Sequence, residues 1–195
     1  QIFYHTIAMK EIGSRGMGAI VGLVGVTFRV WAPNVNSIFV MGSFNGWRDN
    51  EYPLEHENDG YWAVHVDLAN NGDEYKFVLY NGDNKITKND PYARKLTNSM
   101  GNSIVIDLKK DREDHQFQIP SFNELVIYEM HIGTFNRDGI ENGGVGTFYS
   151  AVQRLDYIRD LGINAIEIMP VMEFAGDESW GYNPAHPFAV ESAYG

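Results

Sequence analysis

The stretch VTFRVWAP, residues 26–33, alternates apolar and polar side chains and then stops at a proline. In this pattern Val26, Phe28 and Val30 point one way and the residues between them point the other way. Successive side chains of a strand face opposite sides of a sheet. The stretch therefore predicts a half-buried β-strand that ends in a turn.

Four further runs downstream share this richness in β-branched and aromatic residues, and clusters of Asn, Gly, Asp and Pro separate them. Short strands at this spacing, with such turn residues between them, are typical of antiparallel sandwiches. We therefore predict an all-β, immunoglobulin-like sandwich over residues 25–108, preceded by a lead of residues 1–24 that contributes an edge strand. The four runs are SIFVMGSF (37–44), YWAVHVDL (61–68), EYKFVLYN (74–81) and NSIVIDL (102–108).

The pattern changes after residue 108. Residues 109–123 are charged and then proline-containing, which indicates an interdomain linker. LVIYEMHIGTF (125–135) is a nearly continuous apolar run, as expected of a strand buried on both faces. A helix should follow, with Thr147 as its N-cap and Gly162 after its end. INAIEIMPV (163–171) predicts a second buried strand parallel to the first.

A single βαβ unit cannot bury both of its own faces. A complete (β/α)8 barrel needs about 250 residues. Residues 124–195 are therefore interpreted as the first βαβ unit of a (β/α)8 TIM barrel that is incomplete in this chain. The predicted fold is multi-domain: a β-sandwich followed by the start of a barrel.

Composition excludes several classes of function. The formal net charge of −11 argues against nucleic acid and anionic membranes as partners. The chain has no cysteine, which excludes disulfides and thiolate ligands. It also lacks a phosphate-binding glycine motif and the ligand spacing of a calcium loop, so we predict no cofactor and no metal. Aromatic residues make up 13% of the chain, which suits a surface that stacks on sugars.

Six strings carry a resemblance to known proteins. FRVWAPN, GSFNGW and EYKFVLYNGD resemble the isoamylase-type N-terminal glucan-binding module. VIYEMHIGTF, RLDYIRDLGINAIEIMPVMEF and SWGYNPAHPFAVESAYG resemble the first two strands and the following loop of the catalytic barrel in the alpha-amylase superfamily, glycoside hydrolase family 13. The combination is most similar to the 1,4-alpha-glucan branching enzymes and the related trehalohydrolases.

The resemblance implies a substrate site in the last loop. Family members stack a sugar on the Tyr of the Trp-Gly-Tyr string, which is Tyr182 here, and Trp180, Asn183 and His186 are further substrate-binding candidates. The family's three catalytic carboxylates lie on later barrel strands and are expected beyond Gly195. No catalytic residue is therefore predicted here, and the chain alone is expected to be inactive.

The resemblance also implies a glucan-binding site in the sandwich, formed by Trp47, Lys76 and Asn102. Binding members often carry a second Trp in the turn after the lysine strand, whereas this chain has NGDNK there. The module is thus either a binder with one aromatic platform or a spacer. Among the other polar residues, Glu173 and its neighbours Asp177 and Glu178 are interpreted as solvated charges.

Several functions remain open at this point. The resemblance implies a parent enzyme of glycogen biosynthesis, namely a branching enzyme that acts by retaining glycosyl transfer. The alternatives are an isoamylase-like debranching enzyme, a malto-oligosyltrehalose trehalohydrolase, or a non-catalytic glucan-binding or interaction module. The expected partner is alpha-1,4-glucan (glycogen, starch or maltodextrin). The chain is also expected to self-associate through exposed barrel strands, and the lack of a signal-peptide pattern predicts a cytoplasmic location.

Overall fold

The computed structural model describes residues 16–107, 118–140 and 144–195. These residues divide into two units, which are described separately. The first contains residues 16–107 together with 186–189, and the second contains the remaining described residues. No helix in the described part of the chain has both the length and the apolar character needed to span a membrane.

The first unit is a sandwich of two antiparallel sheets, which confirms the predicted β-sandwich. One sheet has the strand order β1–β2–β6–β5, and the other has the order β4–β3–β7–β8 with β9 beside β7. The strands are β1 (Gly18–Val21), β2 (Val26–Trp31), β3 (Ser37–Gly42), β4 (Tyr52–Pro53), β5 (Glu55–His56), β6 (Tyr61–Val66), β7 (Glu74–Asn81), β8 (Asn84–Lys88) and β9 (Ser103–Ile104).

Alternation along the strands builds the sandwich core. Phe28 of β2 is fully buried, and its ring lies 4.8 Å from that of Tyr75 on β7 of the opposite sheet. Phe77 follows on the same face of β7, 5.9 Å from Tyr75. The residues between these inward-facing positions form the outer faces, as a half-buried sheet requires.

The predicted strands differ from the observed ones in detail. The edge strand expected within the lead is β1, while residues 1–15 lie outside the described residues. Within the described part of the run predicted at 102–108, Ser103–Ile104 forms a strand. Sequence reasoning missed β8 because all five of its side chains are exposed, so no alternation marks it.

The second unit contains one parallel strand pair with helices in the connection. Its elements are β10 (Ile127–Met130), α1 (Ile132–Phe135), α2 (Phe148–Val152), α3 (Leu155–Asp160), β11 (Ala165–Ile168), β12 (Met172–Phe174) and β13 (Pro184–Val190). β10 pairs with β11 in parallel, from Ile127 opposite Ala165 to Met130 opposite Ile168. β12 pairs with β13 in a separate two-stranded sheet.

Two expectations for the second unit are wrong. The strand predicted to continue to residue 135 ends at Met130, because the carbonyl of His131 accepts from the amides of Thr134 and Phe135 and starts a helical turn. The predicted single helix is broken after Val152. The Ser150 carbonyl accepts from the Asn136 side chain (2.7 Å), so the Arg154 amide bonds the Ala151 carbonyl instead.

The exposure of β10 and β11 agrees with the expectation that these strands are left uncovered in this chain. Ile127, Ile166 and Ile168 are exposed. Two strands alone leave part of each face uncovered. The buried cluster of this unit lies instead around Phe174 and Tyr194, with Met130, Ile132, Ala151 and Ile158.

Candidate functional site

A tight loop after β3 presents Trp47 at the surface of the sandwich. Residues Ser43–Asn45 form a single 3-10 turn, which Gly46 closes at φ 63°. Trp47 itself has a backbone φ of 61°, a conformation that residues other than glycine rarely adopt. Its amide donates to the Gly42 carbonyl (2.9 Å), and its side chain remains 37% exposed.

A buried asparagine holds this loop in shape. Asn45 accepts from the Gly42 amide at 3.1 Å and donates to the Arg48 carbonyl at 2.8 Å. Both ends of the loop are therefore fixed by one side chain, on either side of Trp47. The strained backbone at Trp47 persists because these bonds over-determine it, as is common at ligand sites.

The structure brings the three sandwich candidates to the same end of one sheet. Trp47 is held near the end of β3 by the bond from its amide to the Gly42 carbonyl. The residue before Gly42 on β3 is Met41, which pairs with Lys76 on β7. Asn102 reaches the same end of β7, where its side-chain amide donates to Glu74 at 2.6 Å. Lys76 and Glu74 both lie on the outer face, since Tyr75 between them is buried.

The loop between β12 and β13 presents the aromatic candidates of the second unit. Trp180 and Tyr182 are 73% and 66% exposed, and Gly181 between them has a φ of 85°. A Cβ at Gly181 would stand 2.0 Å from the Pro170 carbonyl oxygen, so no other residue fits this backbone path. The Ser179 hydroxyl donates to Asn183 (2.6 Å) and accepts from the Gly181 amide.

His131 holds this loop in place by a hydrogen bond to Ser179, a role that sequence reasoning missed. Its Nε2 lies 2.8 Å from the Ser179 carbonyl and 3.0 Å from the Tyr194 hydroxyl, and its Nδ1 lies 3.0 Å from the Thr134 hydroxyl. A carbonyl only accepts, so the Nε2–H group of His131 donates to Ser179. His131 therefore lies at the start of α1 as a satisfied, half-buried histidine.

The expectation that Glu173 is a solvated charge is wrong. Glu173 is only 1% exposed, and its carboxylate accepts hydrogen bonds from the Ser192 amide (2.7 Å) and the Ser192 hydroxyl. Burial raises the pKa of Glu173 above its usual range, although the Ser192 amide opposes this. Asp177 and Glu178 are exposed, as expected.

Glu191 is the buried companion of Glu173. It is fully inaccessible and accepts from the amides of Phe174 (3.1 Å) and Ala193 (3.0 Å). The two carboxylates thus tie the ends of β12 and β13 together through main-chain bonds. An isolated glutamate in an apolar run gives no sequence signal for such a role.

His186 does not belong with the exposed rings of the loop. It lies among residues 186–189, which group with the first unit, and its Nε2 is 3.2 Å from the Ser99 carbonyl. Phe188 nearby stacks on Tyr92, with ring centroids 5.0 Å apart. The contact to Ser99 indicates a structural role for His186.

Metal ligation finds no support in the geometry. Among residues 16–107, 118–140 and 144–195, no three histidine, aspartate or glutamate side chains come together in a way that could hold an ion. The prediction of no cofactor stays a prediction. The chemistry that these sites offer is aromatic stacking with hydrogen bonds to a neutral ligand.

Comparison with known proteins gives a consistent picture. Residues 16–93 match the carbohydrate-binding module 48 family (isoamylase N-terminal domain). The chain is 39% identical over 189 residues to a 1,4-alpha-glucan branching enzyme of Halothermothrix orenii, covering 89% of this chain and 29% of that protein. It is 34% identical over 172 residues to a malto-oligosyltrehalose trehalohydrolase of Saccharolobus solfataricus, covering 88% and 28%.

A solved structure shares the fold. The pullulanase from Anoxybacillus sp. LM18-11, determined with maltotetraose, superposes with a TM-score of 0.73 at 25% identity, covering 96% of this chain and 31% of that one. The chain therefore spans less than a third of the length of these relatives.

Proposed function

Since the chain belongs to the alpha-amylase superfamily, as an N-terminal part of branching-enzyme type with a carbohydrate-binding module at residues 16–93, we propose that it binds alpha-1,4-glucan. Trp47, Lys76 and Asn102 form the site that we assign to the module. The observation that carries this assignment is the strained loop that holds an exposed Trp47 at the end of the sheet bearing Lys76.

Each of the three side chains offers a different contact. The indole of Trp47 gives a flat platform for the C–H face of a glucose ring. The Lys76 ammonium donates to hydroxyl groups beside it. One of the two side-chain N–H groups of Asn102 bonds Glu74, so the other N–H can donate to a sugar hydroxyl and the carbonyl oxygen can accept from one.

The test is binding of maltoheptaose to the full chain, measured by isothermal titration calorimetry. Trp47→Ala should weaken binding by about 5- to 150-fold, because an aromatic ring stacked on a flat ligand face contributes roughly 1–3 kcal/mol. The control is Ile86→Ala, which removes an exposed apolar side chain from β8 of the same sheet. Equal affinities for wild type and Trp47→Ala would refute the assignment and favour a spacer role.

We further propose that residues 124–195 begin a catalytic (β/α)8 barrel. The parallel pairing of β10 and β11 across a helical connection supports this. Tyr182, Trp180 and Asn183 would then stand on a loop that follows the second strand, where barrel enzymes carry their active sites. Loop fixation by Gly181 and His131 keeps both rings presented to a substrate.

The parent enzyme that we propose is a branching enzyme that acts by retaining transfer. Such chemistry needs two carboxyl groups about 5–5.5 Å apart across the scissile bond. Glu173 and Glu191 do not meet this need, because both are buried and bound to main-chain amides. This chain alone should therefore not turn over alpha-glucan. Separately, we propose that the protein is located in the cytoplasm.

The similarity to a trehalohydrolase, at 34% identity, makes that activity the main alternative. Assays of the gene product that contains these residues separate the candidates. A branching enzyme lowers the iodine absorbance of amylose without releasing reducing ends, whereas a debranching enzyme releases them from amylopectin. Release of trehalose from maltooligosyltrehalose would show the trehalohydrolase and overturn the branching proposal.

A further inference from the structure

A second exposed tryptophan stands on the opposite side of the sandwich from the Lys76 face. Trp31 ends β2 and is 54% exposed, although the core-facing residues of the same strand are buried. Its register partner on β6 is Tyr61, so the two rings are neighbours on the outer face of the sheet β1–β2–β6–β5.

The orientation of Trp31 is fixed by the structure. Its Nε1 donates to the main-chain carbonyl of Asp59 at 3.1 Å. This bond holds the indole by its edge, so the flat face of the ring stays open. A ring that is already held loses little side-chain entropy on binding, which favours ligand stacking.

The loop that holds Trp31 is the hairpin turn between β5 and β6. Asp59 has a φ of 60°, and only one other non-glycine residue among those described, Trp47, shows a positive φ. Gly60 follows at φ 81°, where a Cβ would stand 2.7 Å from Pro33. Its carbonyl accepts from the Ala32 amide, next to Trp31. Asp and Gly commonly adopt positive φ in such turns, so the turn fixes the position of the Asp59 carbonyl that holds Trp31.

Polar groups surround the two rings. The Arg29 guanidinium lies 4.3 Å above the Tyr61 ring and donates to Glu57 at 2.7 Å. The Asp59 side chain is exposed beside Trp31. The pair Arg29–Glu57 is neutral and Asp59 adds a negative charge, so this surface suits a neutral ligand rich in hydroxyl groups and disfavours an anion.

We infer that the open face of Trp31, bordered by Tyr61, Arg29 and Asp59, forms a second stacking platform for a chain of glucose units. This inference rests on the proposed function, namely that the module binds alpha-glucan. The outer faces of two packed sheets point away from each other, so the Trp31 platform and the Trp47 site cannot share one sugar ring. The module would hold two glucan branches at once.

Two sites on one module have a measurable consequence. A branched polymer such as glycogen can occupy both sites, whereas a short linear oligosaccharide occupies each site independently. Linked occupation raises the apparent affinity well above that of either site. Trp31→Ala should therefore weaken glycogen binding by at least roughly tenfold, while the affinity of maltoheptaose for the Trp47 site stays unchanged.

The experiment that tests this is a titration of the full chain with maltoheptaose, followed by the NMR signals of the tryptophan indole N–H groups. The chain has four tryptophans, and the variants Trp31→Phe and Trp47→Phe assign the two relevant signals. We expect the Trp31 signal to shift along its own saturation curve. That curve should persist in Trp47→Ala, and Ile86→Ala, a comparably exposed residue at 50%, should leave both curves unchanged.

The outcomes distinguish this inference from the proposed function. A shift at Trp47 with none at Trp31 refutes the second platform and leaves the proposed site standing. A shift at Trp31 alone supports the platform and overturns the assignment of Trp47. No shift at either signal overturns both. The titration uses the unaltered chain, so the result stands even if Trp31→Ala fails to fold.

Discussion

Replacing Asp90 by asparagine should remove a large part of the pH dependence of stability in the sandwich. Asp90 is fully buried in the first unit, where its carboxylate accepts from the Tyr75 hydroxyl (2.7 Å) and the Tyr92 amide (2.8 Å). Burial raises its pKa from 3.8 to about 6, although the hydrogen bonds and Arg94 oppose this. Asparagine keeps the shape and can bond both partners without a charge.

The magnitude follows from linkage. The folded state holds the proton of Asp90 more tightly than the unfolded state does, so the contribution to stability is fully present below pH 4. It falls as the pH rises from about 4 to about 6 and then levels off. The pKa difference between 6 and 3.8, at about 1.4 kcal/mol per pKa unit, gives a loss of roughly 3 kcal/mol. Tyr75 does not titrate in this range, because burial raises its pKa well above 10.

Urea unfolding at several pH values from 4 to 7 measures this directly. Three of the four tryptophans, at positions 31, 47 and 62, lie in the first unit, so a Trp180→Phe background restricts the fluorescence to the sandwich. At each pH, the quantity to compare is a difference: the free energy of unfolding of the protein with Asp90 minus that of the Asp90→Asn variant. We expect it to fall by roughly 2–3 kcal/mol between pH 4 and pH 7.

Other titrating groups are shared by the two proteins, so their contributions cancel in the difference. A difference that stays constant within about 0.5 kcal/mol across the range would refute the reasoning, because the burial of Asp90 would then carry no protonation cost. A carbon-detected NMR titration of the Asp90 carboxyl group gives an independent check, with an expected midpoint near 6.

Three further predictions concern the second unit. Gly181→Ala should destabilise this unit by about 1–3 kcal/mol in thermal unfolding, because the new Cβ meets the Pro170 carbonyl oxygen. Gly176→Ala is the control: its φ is similar but its Cβ would meet no neighbouring atom, so it should destabilise the unit less. The exposed Ile166 and Ile168 should make the chain self-associate in multi-angle light scattering, and changing both to Lys should give a monomer; a monomeric wild type would contradict this. The purified chain should neither lower the iodine absorbance of amylose nor release reducing ends from amylopectin above a blank, and any turnover would show that the catalytic carboxylates lie within it.

Sequence reasoning found the sandwich because strands with one buried face alternate. The bounds of β7 were predicted to the residue, since both its ends are marked by turn residues. It missed β8, whose side chains are all exposed, and it misplaced the end of β10. That end depends on His131 and on bonds to Thr134 and Phe135, which no periodicity reveals.

The candidate site residues were predictable only as residue types in familiar strings. Nothing in the strings indicates that Asn45 fixes the Trp47 loop or that Glu173 is buried. Both roles depend on hydrogen bonds between side chains and main-chain groups. The Ser192 amide, for example, bonds Glu173, which lies 19 residues earlier in the sequence. Such contacts appear only when the chain is folded.

The three exposed tryptophans share one physical feature that explains their presentation. Trp47 itself has a left-handed backbone, Asp59 supplies one beside Trp31, and Gly181 supplies one after Trp180. A left-handed residue reverses the chain within a short loop, and main-chain bonds then fix the loop against the sheet. A large aromatic ring in a mobile loop would collapse onto nearby apolar surface. The fixed turns prevent this, so each ring keeps an open face for a ligand with an apolar C–H face, such as a glucose unit.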